Sequence, residues 1–131
     1  MNVKTQIPLF MSPVCAGFPS PANDYVEKKL DLNEHLIKHP AATFFVRAAG
    51  DSMINAGIHH NDILVVDRAL EPINNRIVIA IIEGELTVKR ILKSQDRLFL
   101  MPDNTQYKSI EVTEEMNVEI WGVVTTIIHS V

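Results

Sequence analysis

Beyond Pro40 the chain is a succession of short runs rich in β-branched and aromatic residues, and this constrains its fold more than any other feature. The runs fall at 43–48, 63–67, 77–82, 85–92, 98–102, 109–112 and 118–131, separated by turn residues, a pattern that predicts strands. Glu83-Gly84 between two of them is a hairpin signal. One stretch before them differs. Asp31 is a capping candidate with Glu34 three positions on and Pro40 as a stop, so 31–39 is predicted to be one short helix. Neither a repeat nor a low-complexity tract interrupts the series. With 131 residues, enough for one domain that buries roughly two thirds of its unfolded surface, the expectation is a mostly β fold. Residues 25–131 would form a compact, largely antiparallel, curled β body with one short helix. Residues 1–24 hold Pro8, Pro13, Pro19, Pro21 and Gly17, which resist helix and predict a flexible, extended N-terminal arm.

The segment from Gly50 to Gly57 breaks the strand pattern, and it carries the chemistry. Gly50-Asp51-Ser52-Met53 offers a serine, and Lys89 lies later in the strand-like run Glu85-Leu86-Thr87-Val88-Lys89-Arg90. A serine hydroxyl is a poor nucleophile at neutral pH and needs a neighbour to take its proton. A lysine does so once burial has lowered its pKa, and serine-lysine is a known variant of the triad arrangement. A serine at the start of a short helical turn would also sit beside free backbone N–H groups. Those of Asp51, Ser52 and Met53 are the candidate oxyanion donors. In the proline-rich arm the small-residue bond Ala16-Gly17 is a peptide that such a site could cut, so the chain is a candidate substrate of itself. Taken alone, each element has a plainer reading. Gly50-Asp51-Ser52 can be a polar turn, and Lys89 a solvated lysine on a half-exposed strand. Strand alternation sets Thr87, Lys89 and Ile91 against Leu86, Val88, Arg90 and Leu92, and parity alone would bury Arg90 in preference to Lys89. Chemistry separates the two, because a guanidinium does not deprotonate and cannot act as a base.

Other function classes are excluded. A net charge of −4 and a pI near 5.7 argue against specific DNA binding through a basic face of the chain itself. Cys15 is the only cysteine, so no internal disulfide and no cysteine-based metal cage can form, consistent with a reducing, cytoplasmic compartment. The N-terminus lacks an apolar signal region, and the longest apolar run, Ile77–Ile82, is far too short to span a bilayer. His59, His60 and Asp62 are residue types that ligate metals. Adjacent histidines in extended chain point apart and no further partner motif is present, so a surface turn is expected, with no metal and no cofactor.

Taken together these residues carry a family resemblance. The chain resembles the UmuD family, the self-cleaving accessory subunits of error-prone DNA polymerase V, and more distantly the LexA-type repressors. The match runs from Pro8 to Val131. Its anchors are Pro8-Leu9-Phe10, Gly17-Phe18-Pro19-Ser20-Pro21-Ala22, Asp24-Tyr25-Val26-Glu27, Asp31-Leu32-Asn33, Gly50-Asp51-Ser52-Met53-Ile54, Asp62, Val66-Asp67, Gly84-Glu85 and Thr87-Val88-Lys89. The resemblance implies Ser52 as nucleophile, Lys89 as general base and cleavage before Gly17. It also implies a homodimer, stimulation by a RecA–single-stranded DNA filament, a Y-family (UmuC-like) polymerase partner and a role in SOS mutagenesis. Two positions depart from the family pattern. Ala16 stands where UmuD-type chains usually place cysteine, with Cys15 one place early, as in the Ala-Gly bond of LexA-type chains. His60-Asn61 stands where Asp-Gly is usual, and asparagine is among the few residues that tolerate the left-handed turn glycine would supply. Too few residues precede Gly17 for a helix-turn-helix domain, so a DNA-binding repressor is not expected. The alternative from another class is a non-catalytic β-fold module that binds a polymerase or recombinase.

Overall fold

The computed structural model describes residues 5–10, 14, 16–17 and 26–131, with 26 and 27 in backbone alone. Cys15 and most of the segment 1–24 lie outside the described residues. Two compact units divide the chain, Met1–Lys38 and His39–Val131.

In the first unit, β1 (Ile7–Phe10) pairs antiparallel with β2 (Val26–Leu30), with Ile7 opposite Leu30 and Pro8 opposite Lys29. These strands were not expected from the proline content. A two-stranded sheet is all edge, so the N–H that Pro8 lacks need not break a ladder. Asp31 then caps α1 (Leu32–Leu36), its Oδ1 accepting from the Asn33 N–H at 3.0 Å. The helix stops before the expected 39. Proline disfavours helical backbone at the preceding residue, and His39 accordingly sits at φ −132°, ψ 80° before the 3-10 turn Pro40–Ala42.

The second unit is one antiparallel sheet. Its strands are β3 (Thr43–Arg47), β4 (Ile63–Asp67), β5 (Ile77–Ile82), β6 (Glu85–Ser94), β7 (Arg97–Met101), β8 (Ile110–Val112) and β9 (Val118–Ile128). Their order is β3-β4-β9-β5-β6-β7-β8, so the last strand inserts between β4 and β5. The mostly β, antiparallel expectation is borne out, and each predicted run from 43 onward contains a strand. Asn61 adopts φ 73°, the left-handed turn anticipated for it, and Glu83 and Gly84 at φ 49° and 81° make the hairpin turn. Among the described residues no helix is long and apolar enough to cross a membrane.

Two cores explain why β5 is apolar at every position. Ile79 packs with Ala48, Met53, Ile58, Leu64 and Val66, whereas Val78 and Ala80 on its other face pack with Ile91, Leu100 and Val123. A strand covered on both sides cannot alternate with polar residues. Strand β9 serves both cores as well, through two bulges that leave Trp121 extra against β5 and Thr125 extra against β4. Each bulge reverses side-chain parity. Val118 and Ile120 therefore join one core, while Trp121, Val124 and Ile127 join the other.

Gly122, beside the first bulge, permits the close approach of β9 to β4. A Cβ there would lie 2.5 Å from Cγ1 of Val66, a fully buried and stiff β-branched side chain. Gly122→Ala is expected to destabilise the fold by roughly 1–3 kcal/mol through overpacking. Urea unfolding should show a lower midpoint at unchanged slope; an unchanged midpoint would mean that Val66 moves aside freely.

Candidate active site

The loop between β3 and β4 leaves and re-enters the sheet at one point. The Ala48 N–H donates to Asp62 O and the Asn61 N–H donates to Ala48 O, each at 2.8 Å. Within the loop Gly50 turns the chain at φ 82°, its N–H donating to His60 Nδ1 at 2.9 Å. Ser52 follows, one residue before Met53, which begins the 3-10 turn Ile54–Ala56; Gly57 ends that turn at φ 85°. Met53 and Ile58 are 1% and 2% exposed. Burying two such side chains stabilises by roughly 3–6 kcal/mol, so the serine rests on an anchored loop.

A second segment, 103–107, pins the loop from outside. Asp103 O accepts from the Asn55 N–H at 2.8 Å, Asn104 Nδ2 donates to Asp51 O at 2.9 Å, and Tyr107 Oη donates to the Asp51 carboxylate at 2.5 Å. That contact with the anion holds the Tyr107 phenol above its usual pKa. Asp103 is in turn held by a fork from Arg90, with Nη2 at 2.7 Å and Nε at 3.1 Å from Oδ2. The sequence carries no signal for Asp103, Asn104 or Tyr107, because turn residues so far along the chain show no pattern that ties them to Ser52.

Lys89 lies on β6 opposite Val78, and its Nζ is 3.1 Å from Ser52 Oγ, 2.9 Å from Thr87 Oγ1 and 3.0 Å from Val88 O. Parity alone would have buried Arg90 instead, and here the structure corrects it. Lys89 is 9% exposed, on the side where Val78 and Ile91 are buried, whereas the Arg90 side chain remains 33% exposed and is satisfied by Asp103. Desolvation lowers the Lys89 pKa below its ordinary value, and no carboxylate forms an ion pair with it among the described residues. The Asp51 carboxylate, although next to the serine, is taken up by Tyr107. Thr87 is a further site residue; its shared strand face with Lys89 was the available signal.

A neutral amine has two N–H groups and one lone pair. Thr87 Oγ1 and Val88 O can accept the two hydrogens, leaving the lone pair for the Ser52 hydroxyl. Among the described residues the backbone N–H groups of Asp51, Ser52 and Met53 have no protein acceptor. A cleft of about 180 Å³ opens alongside, lined by Ser52 with Val46, Ala49, Leu64, Leu86 and Val88. Its lining is largely apolar, with Arg47 and Thr87 as the other polar side chains. Ala16 and Gly17 are both exposed and belong to the first unit.

A family model described as Peptidase S24-like matches residues 8–125. The chain is 50% identical over 127 residues to Protein SamA of Salmonella typhimurium, covering 97% of this chain and 88% of that one. It is 50% identical over 123 residues to Protein ImpA of Escherichia coli, covering 93% and 83%. Similarity extends to the LexA repressor of Shewanella denitrificans, 38% identical over 111 residues, which covers 85% of this chain and 53% of the repressor.

Proposed function

Because this chain belongs to the peptidase S24-like family and stands within it among UmuD-type proteins, we propose that it is a self-cleaving switch acting through Ser52 and Lys89. The observation that carries this reading is the 3.1 Å approach of a desolvated lysine amine to a serine hydroxyl on an anchored loop. Neutral Lys89 takes the proton of Ser52, and Oγ attacks the carbonyl carbon of Ala16. The developing oxyanion is received by the free N–H groups of Asp51, Ser52 and Met53. As the Ala16-Gly17 bond breaks, the Lys89 ammonium returns its proton to the leaving amine, so Gly17 becomes the new N-terminus. Water then hydrolyses the acyl ester on Ser52.

The cleaved form serves as the accessory subunit of a Y-family, UmuC-like translesion polymerase in the SOS response to DNA damage. It works as a homodimer in the cytoplasm, and a RecA–single-stranded DNA filament stimulates its cleavage by favouring the docked form of the arm. The net charge of −4 makes protein partners the natural ones.

Intact-mass analysis of purified chain, incubated with activated RecA filament or at alkaline pH, tests this reading. The expected product begins at Gly17. One beginning at Ala16 would mean that Cys15 supplies the residue before the cut and that the register is off by one. No product under either condition would favour the non-catalytic interaction module.

A further inference from the structure

We propose that His59, Asp62 and His129 form a binding site for a divalent cation of the zinc class, at the base of the loop that carries Ser52. The sequence alone suggested a surface turn at His59, His60 and Asp62, for want of a further ligand. His60 does turn elsewhere, to Gly50. But Asp62 is buried, and His129 comes to it from the end of β9. Its carboxylate Oδ1 lies 2.5 Å from His129 Nδ1, and Oδ2 lies 3.6 Å from His59 Nδ1. The two imidazoles stand side by side, with centroids 4.6 Å apart and an interplanar angle of 33°. One donor atom from each of the three residues lies within 4.8 Å of the others.

This is a buried anion beneath two half-exposed imidazoles, open to solvent on one side. Oδ2 also accepts from the His59 backbone N–H at 2.7 Å, which fixes the orientation of the carboxylate. Tetrahedral zinc with bonds of about 2.0–2.2 Å sets its ligand atoms roughly 3.3–3.5 Å apart. The tight Asp62–His129 pair must open by about 1 Å, whereas His59 Nδ1 and Asp62 Oδ2 at 3.6 Å already stand near that spacing, and rotation of the exposed imidazoles can supply the change. Two imidazoles with one carboxylate suit zinc, whereas magnesium and calcium prefer oxygen ligands throughout. A cavity of about 260 Å³ beside Asp62 and His129 leaves room for a water in the fourth position. Arg47 also lines that cavity and donates to Asn61 O at 2.9 Å, so affinity rests on the three ligands and not on the surrounding field.

A cation held here ties residues 59–62 to the end of β9, and so braces the point where the Ser52 loop leaves and re-enters the sheet. The test is metal binding and does not depend on cleavage. The full chain, stripped with EDTA and dialysed, is titrated with zinc chloride by calorimetry and by competition with a chromogenic chelator. One ion per chain is expected, with a rise in Tm on zinc addition. His59→Ala and His129→Ala should each weaken binding by at least about tenfold and lose the Tm rise. His35→Ala, on α1, should bind as the parent does. Asp62→Asn alters a buried group and can fail to fold, so the two exposed imidazoles carry the test. Absence of stoichiometric binding would overturn the proposal, as would parental affinity in both variants or an equal loss in His35→Ala.

Discussion

Replacing Ser52 by alanine is expected to abolish self-cleavage while leaving the folded chain intact. The two consequences separate because the hydroxyl contributes to the reaction but hardly to the fold. Ser52 is partly exposed, and the contact of its Oγ is with Lys89 Nζ, while the loop is held by Met53, Ile58 and the hydrogen bonds from Asn104 and Tyr107. Removing one oxygen leaves Nζ with Thr87 Oγ1 and Val88 O, so stability should change by no more than about 1 kcal/mol. The reaction, by contrast, loses the atom that forms the acyl bond, and loss of such a nucleophile lowers the rate by on the order of 10⁴-fold or more. Incubation with activated RecA filament, followed by intact-mass analysis, checks the rate, and circular dichroism checks the fold. A product beginning at Gly17 from the variant would remove Ser52 from the mechanism.

The second large effect is expected at Lys89, where arginine should be as inactive as alanine. Arginine keeps the positive charge and much of the length, so a purely electrostatic role would survive the change. A role as base would not, because a guanidinium cannot accept the serine proton at any working pH. The same requirement sets the pH dependence. Burial lowers the Lys89 pKa, and only the neutral amine is competent. Filament-free cleavage should therefore accelerate about tenfold per pH unit while the ammonium dominates. It should level off at a pKa below the ordinary lysine value of about 10.4. Cleavage by Lys89→Arg at the parental rate would rule out Lys89 as the base. The alternatives nearest in sequence are His59 and His60, which the structure engages with Asp62 and Gly50.

Much of the fold is legible along the chain because the information is local. Each β-branched run from 43 onward became a strand, Asp31 became a helix cap, and Asn61 and Gly84 took the left-handed turns their residue types allow. The missed elements were those whose stability is non-local. Strand β1 forms only by pairing with β2, and Pro8 hides that pairing from any reading of composition. Likewise, periodicity on β9 fails at Trp121 and Thr125, since a bulge is a property of two strands and not of one.

The candidate site divides in the same way. Residue chemistry alone made Ser52 a candidate nucleophile and favoured Lys89 over Arg90 as a candidate base, because a hydroxyl, an amine and a guanidinium differ in what they can do with a proton wherever they lie; the family resemblance singled the pair out. Burial was another matter. Whether Lys89 or Arg90 would be desolvated depended on β5 pairing Val78 with Lys89, and on Asp103 arriving to satisfy the guanidinium. Asn104 and Tyr107 on the Ser52 loop, and His129 on Asp62, were likewise decided only in three dimensions. Residue type is a property of each position by itself. Desolvation and approach distance depend on which distant segments the sheet order brings alongside, and that order is set by packing across the whole unit.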